Sequence, residues 1–500
     1  MKLAFTIFCW IGVIACGIFL RFDQLSKRPF HADEATGARI TAMRMEAGGY
    51  QFDPTHYHGP ILSGLAMEIS KRNGENHWRA MTKGSLRFLP ALAGCLVLLV
   101  PLLWIKRYGA LPMLLAAALL ATSPLLVYYS RMFIHEMLLV LFGMLALLCI
   151  IRFPRYGLPG LFIGFMFATK ETFAISMLAW MAAACGIALE KSGMFNSAWL
   201  RLNWKNYRNP VIFSLLAAAI VSILFYTDGF RHPQGALDAL KTFFVYKTGE
   251  GHAKPFAWYL QLLALPQQSG GFWWFGTPVV MLAVFAFGLG FRKDSPAPLV
   301  IRFIAYAAVG HYLIYSLIDY KTPWLACLPW AHVCLLAGFA ITGMARMRLA
   351  VKLGLSLLVG AALITQFQQA RLASGRFASD ERNPFAYVPT RQEMETLEPW
   401  LRKLQQAAPE FPLEPLAVIG KDYWPLPWYL RSYDQIGYWP SPPVNLAERA
   451  MVFAMPEVAD QVTRQLETTH TLLPRGLRAG VPMYLFVKND LWRIWMESGK

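Results

Sequence analysis

The chain has 500 residues, 56% of them hydrophobic and only 15% charged, with a formal net charge of +17. An ordinary soluble domain carries roughly 25% charged residues, so the composition is that of a membrane protein. Residues 367–500 hold fifteen basic and fifteen acidic side chains, which places the whole positive excess in the hydrophobic first 366 residues. No zinc-finger spacing and no basic-aromatic alternation argues for a nucleic-acid partner, and the plainer reading of that charge is cytoplasmic loops meeting anionic lipid headgroups.

A bilayer span takes about 20 mainly apolar residues. The chain offers eleven such stretches, near 3–20, 86–105, 111–129, 133–151, 157–169, 172–189, 210–226, 272–291, 302–318, 323–343 and 349–366. The first has no small-residue cleavage site before Arg21 and is expected to remain as a membrane helix. The fifth is short and has to be packed within the bundle. With the N-terminus in the cytoplasm, every even gap is basic: Lys106-Arg107, Arg152 to Arg155, Lys191 to Arg208, Arg292-Lys293 and Arg346 to Lys352. The positive-inside rule therefore puts the odd gaps and everything after 366 on the outside of a plasma (inner) membrane.

All seven cysteines fall in apolar stretches, so no disulfide framework and no cysteine-based metal site is expected. After the link "SGRFASDERNPFAYVP", short β-branched runs alternate with helical ones: "LAVIG" before "DYWPLPWYLRSY", "MVFAM" before "PEVADQVTRQL", and "MYLFVK" before "NDLWRIW". This alternation predicts a small extracytoplasmic α/β domain over 367–500, behind a mainly α membrane domain over 1–366. Trp424, Trp428 and Trp439 are expected at the membrane interface, where amphipathic rings collect.

The unusual polar clusters all fall at external span ends: "FHADEA" (30–35), "FDPTHYHGP" (52–60), "YYSRMFIHE" (128–136), "ATKE" (168–171), "DGFRHP" (228–233) and "DYKTPW" (319–324). Ionisable groups near a bilayer are costly, and they pair or line functional cavities, so one external site is inferred. Asp33 and Glu34 are its catalytic candidates. A partly desolvated carboxylate can take a proton from an attacking hydroxyl or amine, or hold a divalent metal. The plainer alternative has Asp33 capping the helix that follows.

His56, Tyr57 and His58 of "HYHGP", with His31, are candidates to hydrogen-bond a phosphate or sugar. A metal site formed by these histidines with the carboxylates is the lesser reading, because no further ligand spacing accompanies them. Arg131, His135 and Glu136 open the fourth span, and an arginine there either meets a phosphate or snorkels and pairs with Glu136. Lys170 with Glu171, and Lys321 beside Asp319, complete the set as ion pairs or phosphate contacts.

Taken in order, "FHADEA", "HYHGP", "SPLLVYYSRMFIHE", "ATKE" and "YKTPW" resemble the GT-C glycosyltransferases. The resemblance is to their protein O-mannosyltransferase and aminoarabinose-transferase branch (family 39-like), in the subgroup labelled flippase activity-associated. It implies an inverting transfer of a sugar from a polyprenyl-phosphate donor to a glycan, lipid or protein acceptor on the external face. It also implies that Asp33 is the base or a metal-associated carboxylate, that Glu34 supports it, and that Arg131, Lys170 and Lys321 contact the lipid phosphate. His58-Gly59-Pro60 stands where relatives carry Lys-Pro-Pro or His-Pro-Pro, a departure that puts the role of His58 in question. Besides a possible divalent metal at Asp33, no cofactor is implied. Transport of a lipid-linked oligosaccharide, a non-catalytic scaffold and a zinc hydrolase are the competing readings.

Overall fold

The computed structural model describes residues 2–153, 157–192, 197–245 and 251–499. Each of the eleven apolar stretches contains helix. Among the described residues seven helices are long and apolar enough to cross a membrane, or eight when Ala110–Thr122 and Pro124–Ser130 count as one broken span. These two helices meet at 58°. The physical reason is Pro124, which has no N–H to continue the ladder and frees carbonyls of the preceding turn. Arg21, fully buried at the end of the first helix Lys2–Phe22, takes them up: it donates to the carbonyls of Leu120 and Ala121, both at 3.0 Å.

The short fifth stretch is the helix Leu158–Thr169, packed against Ser197–Tyr226. A Cβ on Gly160 would lie 1.8 Å from the Ser214 carbonyl oxygen, and one on Gly164 would lie 2.8 Å from that of Ala218. Glycines four apart let the two backbones touch, and that contact compensates for the helix's length.

Beyond Leu349–Ser374, which runs eight residues past the expected domain boundary, the chain builds a five-stranded mixed sheet. After a hairpin of β1 (Gln267–Ser269) and β2 (Phe272–Trp274) in the membrane part, its strands are β3 (Leu416–Ile419), β4 (Ile436–Trp439), β5 (Met451–Ala454), β6 (His470–Arg478) and β7 (Val481–Lys488). The order is β4-β3-β5-β7-β6, with β3 parallel to β4 and β5, and β7 antiparallel to β5 and β6. Side chains alternate between faces, as the period of a strand requires. Leu416, Val418, Met451, Phe453, Leu485 and Val487 join the core continuous with the membrane helices. Ala417, Ile419, Val452, Ala454 and Phe486 pack instead on Val462 and Leu466 of the helix Ala459–Leu466.

The sheet domain is docked on the loop after the first helix. The Phe30 ring lies 4.1 Å from that of Trp428, and Trp78 meets Trp428 edge-on at 5.5 Å. Trp428 is therefore a buried contact between domains and not a ring at the membrane interface, as its sequence suggested. The Phe30 N–H donates to the Tyr429 hydroxyl (2.8 Å), which donates to Glu395, and Glu395 pairs with Lys83 at 2.5 Å. Thr390 donates to the Phe30 carbonyl at 2.8 Å. Tyr429→Phe leaves the Phe30 N–H buried without an acceptor, which costs roughly 1–3 kcal/mol. The expected outcome is a lower melting temperature, with Trp428 fluorescence reporting looser docking.

Candidate active site

The helix Ala32–Glu46 starts with a reciprocal cap. His31 Nδ1 accepts from the Asp33 N–H at 3.1 Å, and the Glu34 carboxylate accepts from the His31 N–H at 3.0 Å. His31, and not Asp33, is thus the capping residue. Its other ring nitrogen donates to the Tyr387 carbonyl at 3.0 Å, which fixes the tautomer that leaves Nδ1 as acceptor.

Residues 33 and 34 lie about 100° apart around the helix axis, and the structure gives them opposite environments. Glu34 is completely buried. Arg87 meets it with Nε at 2.7 Å and an Nη at 2.8 Å, Arg28 donates at 3.0 Å, and the Phe133 N–H donates at 2.9 Å. Burial works to raise the Glu34 pKa, but Arg87 and then Arg28 overcome it and hold the carboxyl at about 2. Arg87 spends its remaining donors on the carbonyls of Leu25, Arg28 and Pro29. Glu34 therefore has no oxygen to offer a substrate; it anchors the helix start.

Asp33 points the other way, its side chain 52% exposed, with His31 Nδ1 at 3.7 Å. Its charge acts on His252, Tyr320 and Tyr387. Burial lowers the His252 pKa, and Asp33 opposes that shift. His252 Nδ1 bonds the Tyr387 hydroxyl at 2.6 Å, and its ring lies 4.8 Å from Tyr320. Val388, beside Tyr387, takes φ +43°. A left-handed conformation is costly for a β-branched residue, so the backbone is strained next to the residue that ties the linker to His252 and His31.

A second polar group comes from three later segments. His58 Nδ1 bonds Glu171 at 2.9 Å, and the His58 and His135 rings meet edge-on at 5.0 Å. Burial raises the Glu171 pKa, but His58 and Lys170 bring it down to about 2. His135 is half-buried beside His58. Lys170 and Glu136 pair at 2.6 Å, both buried. Gly59 accounts for the departure in "HYHGP": a Cβ there would lie 2.2 Å from the Ala168 carbonyl oxygen. The glycine lets His58 approach the Lys170–Glu171 turn.

Other candidates are placed elsewhere. Arg131 donates to the carbonyls of Leu20 (3.0 Å), Arg21 (3.3 Å) and Gln24 (3.4 Å), capping the first helix, and does not pair with Glu136. Lys321 is buried with its ammonium on the carbonyls of Ile318 (2.5 Å) and Lys254 (3.0 Å). His56 is exposed in a local turn with Asp53 and Thr55, and Tyr57 stacks on Tyr50. Among the described residues no three His, Cys, Asp or Glu side chains come together in a way that could hold a metal ion. His31, His56 and His58 each face a different partner, so the three histidines do not converge on one point.

Residues 48–202, which include the second polar group, match the family model of dolichyl-phosphate-mannose-protein mannosyltransferase. No curated protein matches the chain. Among solved structures, ArnT from Cupriavidus metallidurans in the apo state superposes with a TM-score of 0.63 at 14% identity, over 96% of this chain and 98% of that one. The same protein bound to undecaprenyl phosphate gives 0.60 over the same shares, at 14% identity. The oligosaccharyltransferase AglB from Archaeoglobus fulgidus, in complex with an inhibitory peptide and a dolichol-phosphate, gives 0.56 at 13% identity over 91% of this chain and 70% of that one. These matches agree with the resemblance drawn from the motifs: residues 48–202 are similar to the mannosyltransferase family, and the chain as a whole has the fold of the ArnT and AglB structures.

Proposed function

We propose that the protein moves a sugar from a polyprenyl-phosphate donor to a glycan, lipid or protein acceptor, with inversion at the anomeric carbon. The observation that carries this reading is the division of labour at Asp33-Glu34: one carboxylate is locked by Arg87 and Arg28, and its neighbour is left half exposed on the rigid helix start so formed. In the reaction, Asp33 accepts the proton of the acceptor hydroxyl or amine as its lone pair attacks the anomeric carbon. The bond from that carbon to the phosphate oxygen breaks on the opposite side, and polyprenyl phosphate leaves with the electron pair. No step is routed through a metal. The lipid phosphates in the ArnT and AglB structures support a donor of this class. The basic even gaps support a site on the external face of the plasma membrane, with the N-terminus in the cytoplasm.

His58 is the side chain we assign to the donor phosphate, since it is 26% exposed while Lys170 is 7% exposed. His58→Gln is expected to raise the donor KM about tenfold, the value of one charge-assisted hydrogen bond, with a smaller change in kcat. Steady-state release of polyprenyl phosphate measures both. The reading as a whole is tested by incubating the purified protein with polyprenyl-phosphate sugars and a membrane extract. Release of polyprenyl phosphate with transfer of the sugar is the expected result. No release from a folded, lipid-bound protein overturns it in favour of transport or a scaffold.

A further inference from the structure

A cavity of about 900 Å³ lies away from Asp33, where the helices Lys2–Phe22 and Leu349–Ser374 end beneath the sheet domain. Its wall carries six cations, Lys27, Arg28, Arg131, Arg371, Arg376 and Arg391, against three carboxylates. The carboxylates are already engaged. Asp23 pairs with Arg371 at 3.5 Å, Asp380 with Arg382 at 2.6 Å, and Glu393 accepts the Gly476 N–H at 3.0 Å. Among the described residues Lys27 and Arg376 have no carboxylate partner, and the Arg376 guanidinium rests over the rings of Phe377 and Phe272 at 5.2 and 5.7 Å. The Nε of Arg28 is buried with no acceptor. Arg28 pairs with Glu34 and Arg391 with Glu381 outside the wall, so the positive excess rests on Lys27, Arg131 and Arg376, and guanidinium groups match phosphate geometry.

The two helices that end at the cavity present apolar side chains outward. Ile18 and Phe19 on one, and Ile364 and Phe367 on the other, are exposed as lipid-facing residues are. A ligand at this depth can therefore keep acyl chains along these faces while its headgroup enters the basic wall. We propose that the cavity is a headgroup site for a phosphate-bearing lipid in the leaflet on the side of the C-terminal domain. The site is separate from the catalytic one: none of Asp33, His58, Glu136, Lys170, Glu171 and His252 lines it. It is nonetheless coupled to the catalytic helix, because Arg28 donates both to Glu34 and to the Arg131 carbonyl. An occupied site steadies the network under Asp33.

The test is native mass spectrometry of the full-length protein in detergent, titrated with cardiolipin, with phosphatidylcholine as the zwitterionic control. The double variant Lys27→Glu/Arg376→Glu should bind cardiolipin at least about tenfold more weakly, one charge-assisted contact being the minimum lost. Arg493→Glu, on the helix Asn489–Glu497 and not part of the cavity wall, should bind as the wild type does. If the reversed charges prevent folding, Lys27→Gln/Arg376→Gln takes their place, with the melting temperature as the control. Equal binding by every variant, or equal binding of phosphatidylcholine, overturns the proposal. Millimolar inorganic pyrophosphate distinguishes the source: displacement of cardiolipin shows that the cavity takes phosphate alone, and resistance shows that the whole lipid is read. Asp33→Asn should keep the lipid affinity, so failure of the transferase reading leaves this result standing.

Discussion

Asp33→Asn should reduce sugar transfer at least about a hundredfold, the lower range of what a positioned general base contributes, without lowering the melting temperature. The substitution is nearly isosteric, and the wild-type side chain is half exposed, with His31 at 3.7 Å. The hydrogen bond that the cap needs comes from the Asp33 main-chain N–H and survives the change. Binding should survive too, because an amide keeps the shape and can still accept hydrogen bonds, whereas it cannot take the proton. The loss should therefore fall on kcat, with KM for the donor little changed. Release of polyprenyl phosphate by wild type and variant, at saturating donor, is the measurement. A variant that keeps full turnover removes Asp33 from the chemistry. One that raises KM alone makes it a binding contact.

Long apolar stretches were legible in the sequence because the bilayer imposes a length, and all eleven contain helix. The break at Ser123-Pro124 was harder to see, since its consequence depends on Arg21 arriving from about a hundred residues earlier to satisfy the freed carbonyls. In the sheet domain, β3, β5 and β7 were readable as β-branched runs. The two edge strands were not: β4 is interrupted by Gly437, and β6 contains Pro474 and a register shift between Gly476 and Arg478. Proline and bulges belong at edges, where a missing donor costs least, and they erase the alternation that marks a strand.

At the site, the sequence could say that Asp33 and Glu34 diverge, but not which of them turns inward. That choice is made by Arg87, 53 positions after Glu34. A lone arginine in the apolar run "SLRFLPALAGCLV" was the available signal, because such a residue needs a buried partner. His252 and Tyr387 gave no local signal, and reach Asp33 only through the packing of the linker on the catalytic loop. Arg131 and Lys321 were expected to meet either a phosphate, as the resemblance implies, or an acidic side chain. Their observed partners are main-chain carbonyls, which no side-chain pattern encodes.

Removing Arg87 is expected to have the largest effect on stability. Arg87→Met keeps most of the volume but leaves Glu34 buried with one of its two cations gone, and breaking a buried pair in this way costs about 3–5 kcal/mol. The cost arises from the uncompensated carboxylate, so adding Glu34→Gln to Arg87→Met should restore part of the stability. Thermal melts of the two variants in the same detergent check this; a double variant no better than the single one would assign the loss to packing. The pH dependence gives an independent check. The Glu34 carboxyl titrates at about 2 in the folded protein, below its reference value of 4.5, so the unfolded chain binds the proton first as pH falls. Its contribution is complete above the unfolded value and is lost as pH drops from 4.5 towards 2. The gap in melting temperature between wild type and Glu34→Gln should therefore be widest at neutral pH and close over that range. A gap that persists unchanged at pH 3 would mean that the charge of Glu34 is not what holds the catalytic helix in place.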